Sequence, residues 1–393
     1  GRLRLDAEPA GYPLNVSYQV TTEGFVQGLV VGQGPTVNQY FGTTERHQSV
    51  VFGVPPLPAQ GVFGREKALS DLRKDLQLDD PEAVDVRPVA VRGMGGIGKT
   101  TLAIALAHSA GLLERFPDGV LWAGLGPQPS LRHQLDLWGR AVGVDLLPLP
   151  TDEICSQRLR DALSDRRMVL VIDDVWEAAH GRLLLVGGRH CRTILTTRES
   201  HVANDLVTRA RVYLAQTISP EASIALLCAL VPEIVLTDEA AAHRLCQRLE
   251  YLPLALTLAG RYLANAVDVP YLLPRLVEML TERTEAALNL IQSEGRPGLD
   301  AAPVSLRAIL GMSVERLDRR DQERFAMLAV FGGEPLSWTG EAAAAVWECS
   351  IEDAGQTILR LIQRGLIDPW VERFRMHALL ADYAAALMRE WNL

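Results

Sequence analysis

Gly93-Met94-Gly95-Gly96-Ile97-Gly98-Lys99-Thr100 follows the apolar run Val86-Arg87-Pro88-Val89-Ala90-Val91 and precedes the helix-forming stretch Thr101-Leu102-Ala103-Ile104-Ala105-Leu106-Ala107. Strand, glycine-rich turn and helix in this order read as a phosphate-binding loop. Gly93, Gly95, Gly96 and Gly98 let the backbone curl, so that N–H groups, that of Ile97 included, point inward at a polyphosphate. Lys99 reaches the β- and γ-phosphates, the Thr100 hydroxyl ligates Mg²⁺, and the first turn with Thr101 adds the positive end of the helix dipole. The chain has three lysines (Lys67, Lys74, Lys99) against thirty-six arginines. A compact ammonium therefore stands at the one place where a planar fork fits poorly. A turn with no nucleotide is the competing reading, and the strand and helix on either side argue against it.

Around this loop the composition is that of a folded protein. The 393 residues are 48% apolar, enough for two to four packed domains of ~100–200 residues. Five cysteines (Cys155, Cys191, Cys228, Cys246, Cys349) show neither CxxC pairing nor a dense framework, which favours a reducing cytoplasm. The chain starts at Gly1, has no signal-like segment and no uncharged apolar run of ~20 residues, so it reads as a fragment of a cytoplasmic protein with no membrane partner. A net charge of −9 argues against general affinity for nucleic acid.

Short apolar runs at 86–91, 119–123, 168–172, 192–196 and 211–214 alternate with helical stretches near 66–77, 100–113, 129–143, 153–165 and 199–206. This alternation predicts a mostly parallel sheet covered by helices, an α/β P-loop NTPase domain over 61–216. It is preceded by an N-terminal segment or linker over 1–60 that ends in the Pro-rich 54–61. Ser219-Pro220-Glu221 looks like a helix cap with Pro at the first position. The Ala/Leu-rich pattern beyond it predicts a helical domain over 217–293. After the break at 293–298, helical pattern and two short extended pieces, 365–368 and 373–377, predict three helices and a β-hairpin, a winged-helix domain over 294–393.

Met168-Val169-Leu170-Val171-Ile172-Asp173-Asp174 is a buried strand ending in two carboxylates, about seventy residues after the loop. Asp173 is placed to hold Mg²⁺, and Asp174 to orient or deprotonate the attacking water. Thr193-Ile194-Leu195-Thr196-Thr197-Arg198 brings Arg198 to the same sheet edge, where it senses a γ-phosphate. A helix-capping pair and a surface arginine are the structural alternatives.

This order of motifs resembles the NB-ARC class of signal-transduction ATPases, the switch module of plant immune receptors, of the animal apoptosome scaffold and of bacterial relatives. Val62-Phe63-Gly64-Arg65-Glu66 resembles the motif that lies against adenine and ribose. Leu252-Pro253-Leu254-Ala255-Leu256 resembles the Gly-Leu-Pro-Leu-Ala motif, with Tyr251 at the glycine and Pro253 against the base. Arg375-Met376-His377-Ala378 resembles the Met-His-Asp motif, whose histidine contacts the β-phosphate of ADP; here Ala378 replaces the aspartate.

The resemblance implies a NOD-like-receptor type of core: closed with ADP at rest, open with ATP and Mg²⁺, a slow ATPase that self-associates on activation in signalling or innate immunity. It further implies an effector partner and C-terminal sensor repeats beyond Leu393. An ATP-dependent transcription regulator with a DNA-binding winged helix is the alternative. From Arg296 to Leu393 there are eleven Arg and no Lys against fourteen Asp and Glu, a balance that disfavours phosphate contacts. Residues 25–42 carry no charge and interleave β-branched and aromatic residues with Gln and Asn. They resemble short amyloid-signalling motifs; a hairpin turning at Gly32-Gln33-Gly34 is the other reading.

Overall fold

The computed structural model describes residues 18–20, 28–31, 38–41, 49–80, 83, 87–264, 274–282, 304–334, 336–370 and 372–392. Strands β1 (Tyr18–Val20), β2 (Gly28–Val31) and β3 (Asn38–Phe41) form an antiparallel sheet, with Val31 opposite Asn38. The turn expected at Gly32-Gln33-Gly34 lies outside the described residues.

The main sheet contains β4 (Val50–Phe52), β5 (Val89–Arg92), β6 (Gly119–Gly126), β7 (Met168–Val175), β8 (Arg192–Thr197) and β9 (Val212–Leu214). Its order is β4-β6-β7-β8-β5-β9, and every neighbouring pair is parallel. Side chains alternate between its faces. Val89, Val91, Val169 and Val171 belong to one apolar core and Ala90, Leu170 and Ile172 to the other, as a strand covered on both sides requires. Helices α1 (Glu66–Asp75), α2 (Lys99–Ala107), α3 (Leu112–Arg115), α4 (Leu131–Ala141), α5 (Asp152–Leu163), α6 (Ala178–Leu184) and α7 (Ser200–Leu206) supply the cover.

All five expected strands join this sheet, with ends moved by up to three residues. Two features depart from expectation. Val50–Phe52 is the edge strand beside β6, so the sheet starts before the Pro-rich stretch and the boundary at 60/61 does not mark its beginning. Three residues, one of them exposed, carry too short a pattern to be read from sequence. The helix expected over 100–113 divides into α2 and α3 because Gly111, at φ +71°, turns the chain left-handed between them.

Beyond the sheet, α8 (Pro220–Leu230), α9 (Glu233–Arg248), α10 (Pro253–Ala264) and α11 (274–282) are all helical. Ser219 caps α8 by accepting from Ala222 N–H, and Pro220 occupies the first turn, where its missing N–H has no cost. The C-terminal part holds α12 (Val304–Glu315), α13 (Arg319–Met327), α14 (Gly340–Val346), α15 (Ile351–Gln363) and α16 (Ala378–Trp391). Between α15 and α16, β10 (Asp368–Trp370) pairs antiparallel with β11 (Arg373–Arg375), and Trp338 bridges to Phe374. One apolar cluster runs from the sheet through both helical parts, joining Val91, Leu256 and Leu380. Among the described residues no helix is long and apolar enough to cross a membrane.

Candidate functional site

Because β5, β7 and β8 are parallel neighbours, the residues that follow them emerge at one sheet edge, where ligands bind in open α/β sheets. The loop after β5 turns through Gly96 (φ +76°) and Gly98 (φ +94°), conformations that an L side chain rarely adopts, and enters α2 at Lys99. Lys99 is 6% exposed, and its Nζ donates to Met94 O at 3.1 Å. Burial lowers its pKa to about 8, Arg198 adds to that shift, and Asp174 and Asp173 oppose it.

Asp173 closes the floor. Thr196 Oγ1 donates to its Oδ1 at 2.6 Å, and Thr100 Oγ1 lies 3.0 and 3.1 Å from its two carboxylate oxygens. Burial raises the Asp173 pKa to about 6 despite the threonine hydrogen bonds, with Asp174 pushing the same way. A hydroxyl and a carboxylate converging from two elements are the donor set that Mg²⁺ takes alongside phosphate oxygens and water.

Asp174 sits at φ +55°, an uncommon conformation for a non-glycine residue, with its N–H donating to Thr196 Oγ1 at 2.9 Å. Its Oδ2 accepts from Trp176 Nε1 at 2.9 Å, and its Oδ1 lies 3.6 Å from Arg198 Nε. The Arg198 guanidinium lies over the Trp176 ring, 5.2 Å from its centroid. Its buried Nε and Nη1 have no hydrogen-bond acceptor among the described residues. Donors of this kind, desolvated and unmatched, suit an anionic ligand.

These groups wall a cavity of about 920 Å³ that also receives Pro253, Arg261, Glu334, Arg375 and His377 from outside the sheet. Pro253 opens α10, and Leu254 N–H donates to Gly96 O at 3.3 Å, tying that helix to the phosphate loop. Tyr251, at the position of the motif glycine, adopts φ +55°, the left-handed conformation glycine would take freely. Leu379 of α16 packs on Gly95, where an added Cβ would lie 2.9 Å from its Cδ1. Arg261 reaches Asp368 at 3.1 Å. His377 caps α16, its Nδ1 accepting from Leu379 N–H at 3.2 Å, which leaves the ring neutral with its proton on Nε2. Burial, then Arg198, Lys99 and Arg375, lower its pKa to about 3.

Of the residues singled out in the sequence, Val62, Phe63, Gly95, Gly96, Gly98, Thr100 and Thr101 also line the cavity. Arg65 lines it too, whereas Gly93 and the Ile97 side chain lie outside its wall. Arg65, 5% exposed, donates to Gln216 O at 2.6 Å and to Ile97 O, so its guanidinium braces the loop at the cavity wall. The Ile97 side chain is buried in the core, and Gly93 packs beside Ala215, both away from the cavity wall. The sequence reading missed Thr196, Trp176, Arg375 and Glu334 as site residues. Thr196 and Arg375 stand inside quoted motifs, whereas Glu334 follows two glycines with no pattern around it.

Residues 65–235 match the NB-ARC domain family. Over that stretch the chain carries an NB-ARC domain. It is 27% identical over 375 residues to the Regulatory protein AfsR of Streptomyces coelicolor, covering 92% of this chain and 36% of that one. Identity is 29% over 339 residues to the Probable disease resistance RPP8-like protein 4 of Arabidopsis thaliana, covering 80% and 35%. The chain thus spans about a third of the length of these curated relatives. Among solved structures it resembles a Signal Transduction ATPase with Numerous Domains, a protein with a tetratricopeptide repeat sensor from Pyrococcus horikoshii. That likeness has a TM-score of 0.53 at 16% identity, over 85% of this chain and 44% of that one, and is a likeness of fold. The parallel sheet, the NB-ARC match and the loop geometry together make this an α/β P-loop NTPase domain.

Proposed function

We propose that this NB-ARC chain is a nucleotide-dependent switch, closed around ADP at rest and opened by ATP with Mg²⁺. One observation carries the reading: a single cavity takes Lys99, Asp173 and Arg198 from the sheet, Pro253 from the helical part and His377 from the C-terminal part. A ligand held there bridges all three, so its contacts bias their separation. We take residues 217–293 as a helical domain and 294–393 as a winged helix. Thr100 and Asp173 hold the Mg²⁺, which offsets phosphate charge when bound. Lys99, His377 and the loop N–H groups bind the β-phosphate. Arg198 meets the γ-phosphate, and Asp174 orients the water for slow hydrolysis. Opening frees the C-terminal part and exposes surface for self-association, in signalling or defence inside the cell, with the trigger sensed by repeats and relayed to an effector.

The test is chromatography of the supernatant after heat denaturation. ADP is expected from the purified chain and none from Lys99→Ala, because the phosphates lose their main cationic partner. An empty wild-type site refutes the ADP-bound resting state. A second reading, regulation of transcription through DNA, is favoured by the similarity to a regulatory protein over 92% of this chain. The acidic balance of residues 296–393 opposes it. A sequence-selective, salt-sensitive shift of duplex DNA by the full chain decides for it.

A further inference from the structure

Glu334 enters the cavity beside His377 because its backbone N–H donates to Met376 O at 2.7 Å. Its carboxylate lies 3.1 Å from Arg375 Nε, and the Arg375 guanidinium is itself held 4.2 Å from the Trp370 ring centroid. Protein surrounds the residue, yet 26% of the side chain stays open to the cavity. Burial raises its pKa to about 7; Arg375 opposes the rise, and Asp368, Asp173 and Asp174 add to it. The Glu334 carboxyl and the two carboxylates of β7 thus line one cavity from different parts of the chain.

The remaining charges lining the cavity narrow its role. Arg65 is engaged by backbone carbonyls, and Arg261 pairs with Asp368. What is left among the described residues is Lys99, Arg198 and Arg375 against Asp173, Asp174 and Glu334, three cations facing three carboxylates. A triphosphate brings one more negative group than a diphosphate; Arg198 meets it from the sheet, and among the described lining residues Glu334 is the carboxylate that the C-terminal part sets against it. Asp173 and Asp174 belong to the same body as the phosphate loop, so their repulsion is not relieved by domain separation. Glu334 belongs to the C-terminal part, so its repulsion is.

We propose that Glu334 is the specificity-determining residue that makes the closed form prefer a nucleoside diphosphate, its carboxylate opposing a third phosphate while Arg375 restrains it. The inference rests on the nucleotide-switch reading above. The experiment titrates the full chain with ADP and with β,γ-imido-ATP, both with Mg²⁺, for wild type, Glu334→Gln and Arg375→Gln. Wild type binds ADP more tightly. Glu334→Gln moves the ratio toward the triphosphate by up to roughly tenfold above pH 7, where the carboxyl is charged, the scale of one charge–charge interaction across a half-buried site. Arg375→Gln raises the Glu334 pKa further, so the preference for ADP should weaken at pH 7 and return as the carboxyl ionises at higher pH. If Glu334→Gln fails to fold by circular dichroism, the direction of the Arg375→Gln shift decides. Wild type that binds both nucleotides with a ratio unmoved, within about twofold, in the variants overturns the role of Glu334 alone. Wild type that binds neither nucleotide overturns this inference together with the switch.

Discussion

Replacing His377 tests the closure most directly, and the structure separates two effects that the substitution mixes. Nδ1 accepts from Leu379 N–H at 3.2 Å as the cap of α16, so only Nε2–H is free to meet a phosphate. The ring is neutral well below neutral pH, since burial and three nearby cations lower its pKa to about 3. A neutral N–H donating to a charged phosphate contributes ~1.5–3 kcal/mol. At ~1.4 kcal/mol per decade this is about one to two decades in the closed-to-open ratio. The cap contributes a further ~1 kcal/mol to folding. His377→Ala removes both. His377→Asn keeps a good capping oxygen but is too short to bring a donor to the phosphate. The expected outcome is release of fluorescently labelled ADP at least roughly tenfold faster in His377→Asn, with a Tm near that of wild type. His377→Ala should release as fast and melt several degrees lower. Stopped-flow mixing with excess unlabelled ADP and a thermal melt give the two readouts. Wild-type release rates in His377→Asn would show that the C-terminal part is not held through this histidine.

Three further outcomes are expected. Lys99 titrates near 8 in the free protein and phosphate binds its charged form, so ADP affinity should fall by up to ~tenfold per pH unit above about 8. Calorimetry in buffers of different ionisation enthalpy should show proton uptake on binding there, and a flat profile from pH 7.5 to 9.5 would contradict the assignment. Asp173 has a folded-state pKa of about 6 against 3.8, so its charging penalty grows as pH rises through this window and is complete above it. Asp173→Asn should therefore stabilise the nucleotide-free protein above pH 6 by on the order of 2–3 kcal/mol while abolishing Mg²⁺-dependent hydrolysis. Denaturant melts at pH 5 and pH 8 check the sign, and equal effects at both pH values would refute it. Arg65→Met leaves the buried carbonyls of Ile97 and Gln216 without their donor, a loss of ~1–3 kcal/mol. It should lower the Tm of the nucleotide-free chain, and an unchanged melt would mean that Arg65 acts on the ligand alone.

The phosphate loop, the acidic strand end and Arg198 were legible in the sequence because each is a local pattern whose chemistry is set by neighbours a few residues away. Loop curvature needs glycines at Gly96 and Gly98, and a buried strand needs the continuous apolar run 168–172. The alternation of strand and helix likewise determined the fold class. The tertiary structure alone decided the strand order, which inserts β8 between β5 and β7 and so brings Thr196 against Asp173. It also seated β4 at the sheet edge and tied the Arg65 guanidinium to the backbone carbonyls of Ile97 and Gln216. Glu334 was invisible for the same reason. A lone acid after Gly332-Gly333 has no periodicity, and it acquires meaning only when Met376 O, Arg375 and the carboxylates of β7 are folded around it. Local propensity and burial pattern act over a few residues, whereas the electrostatics of a shared cavity exist only once distant parts of the chain meet.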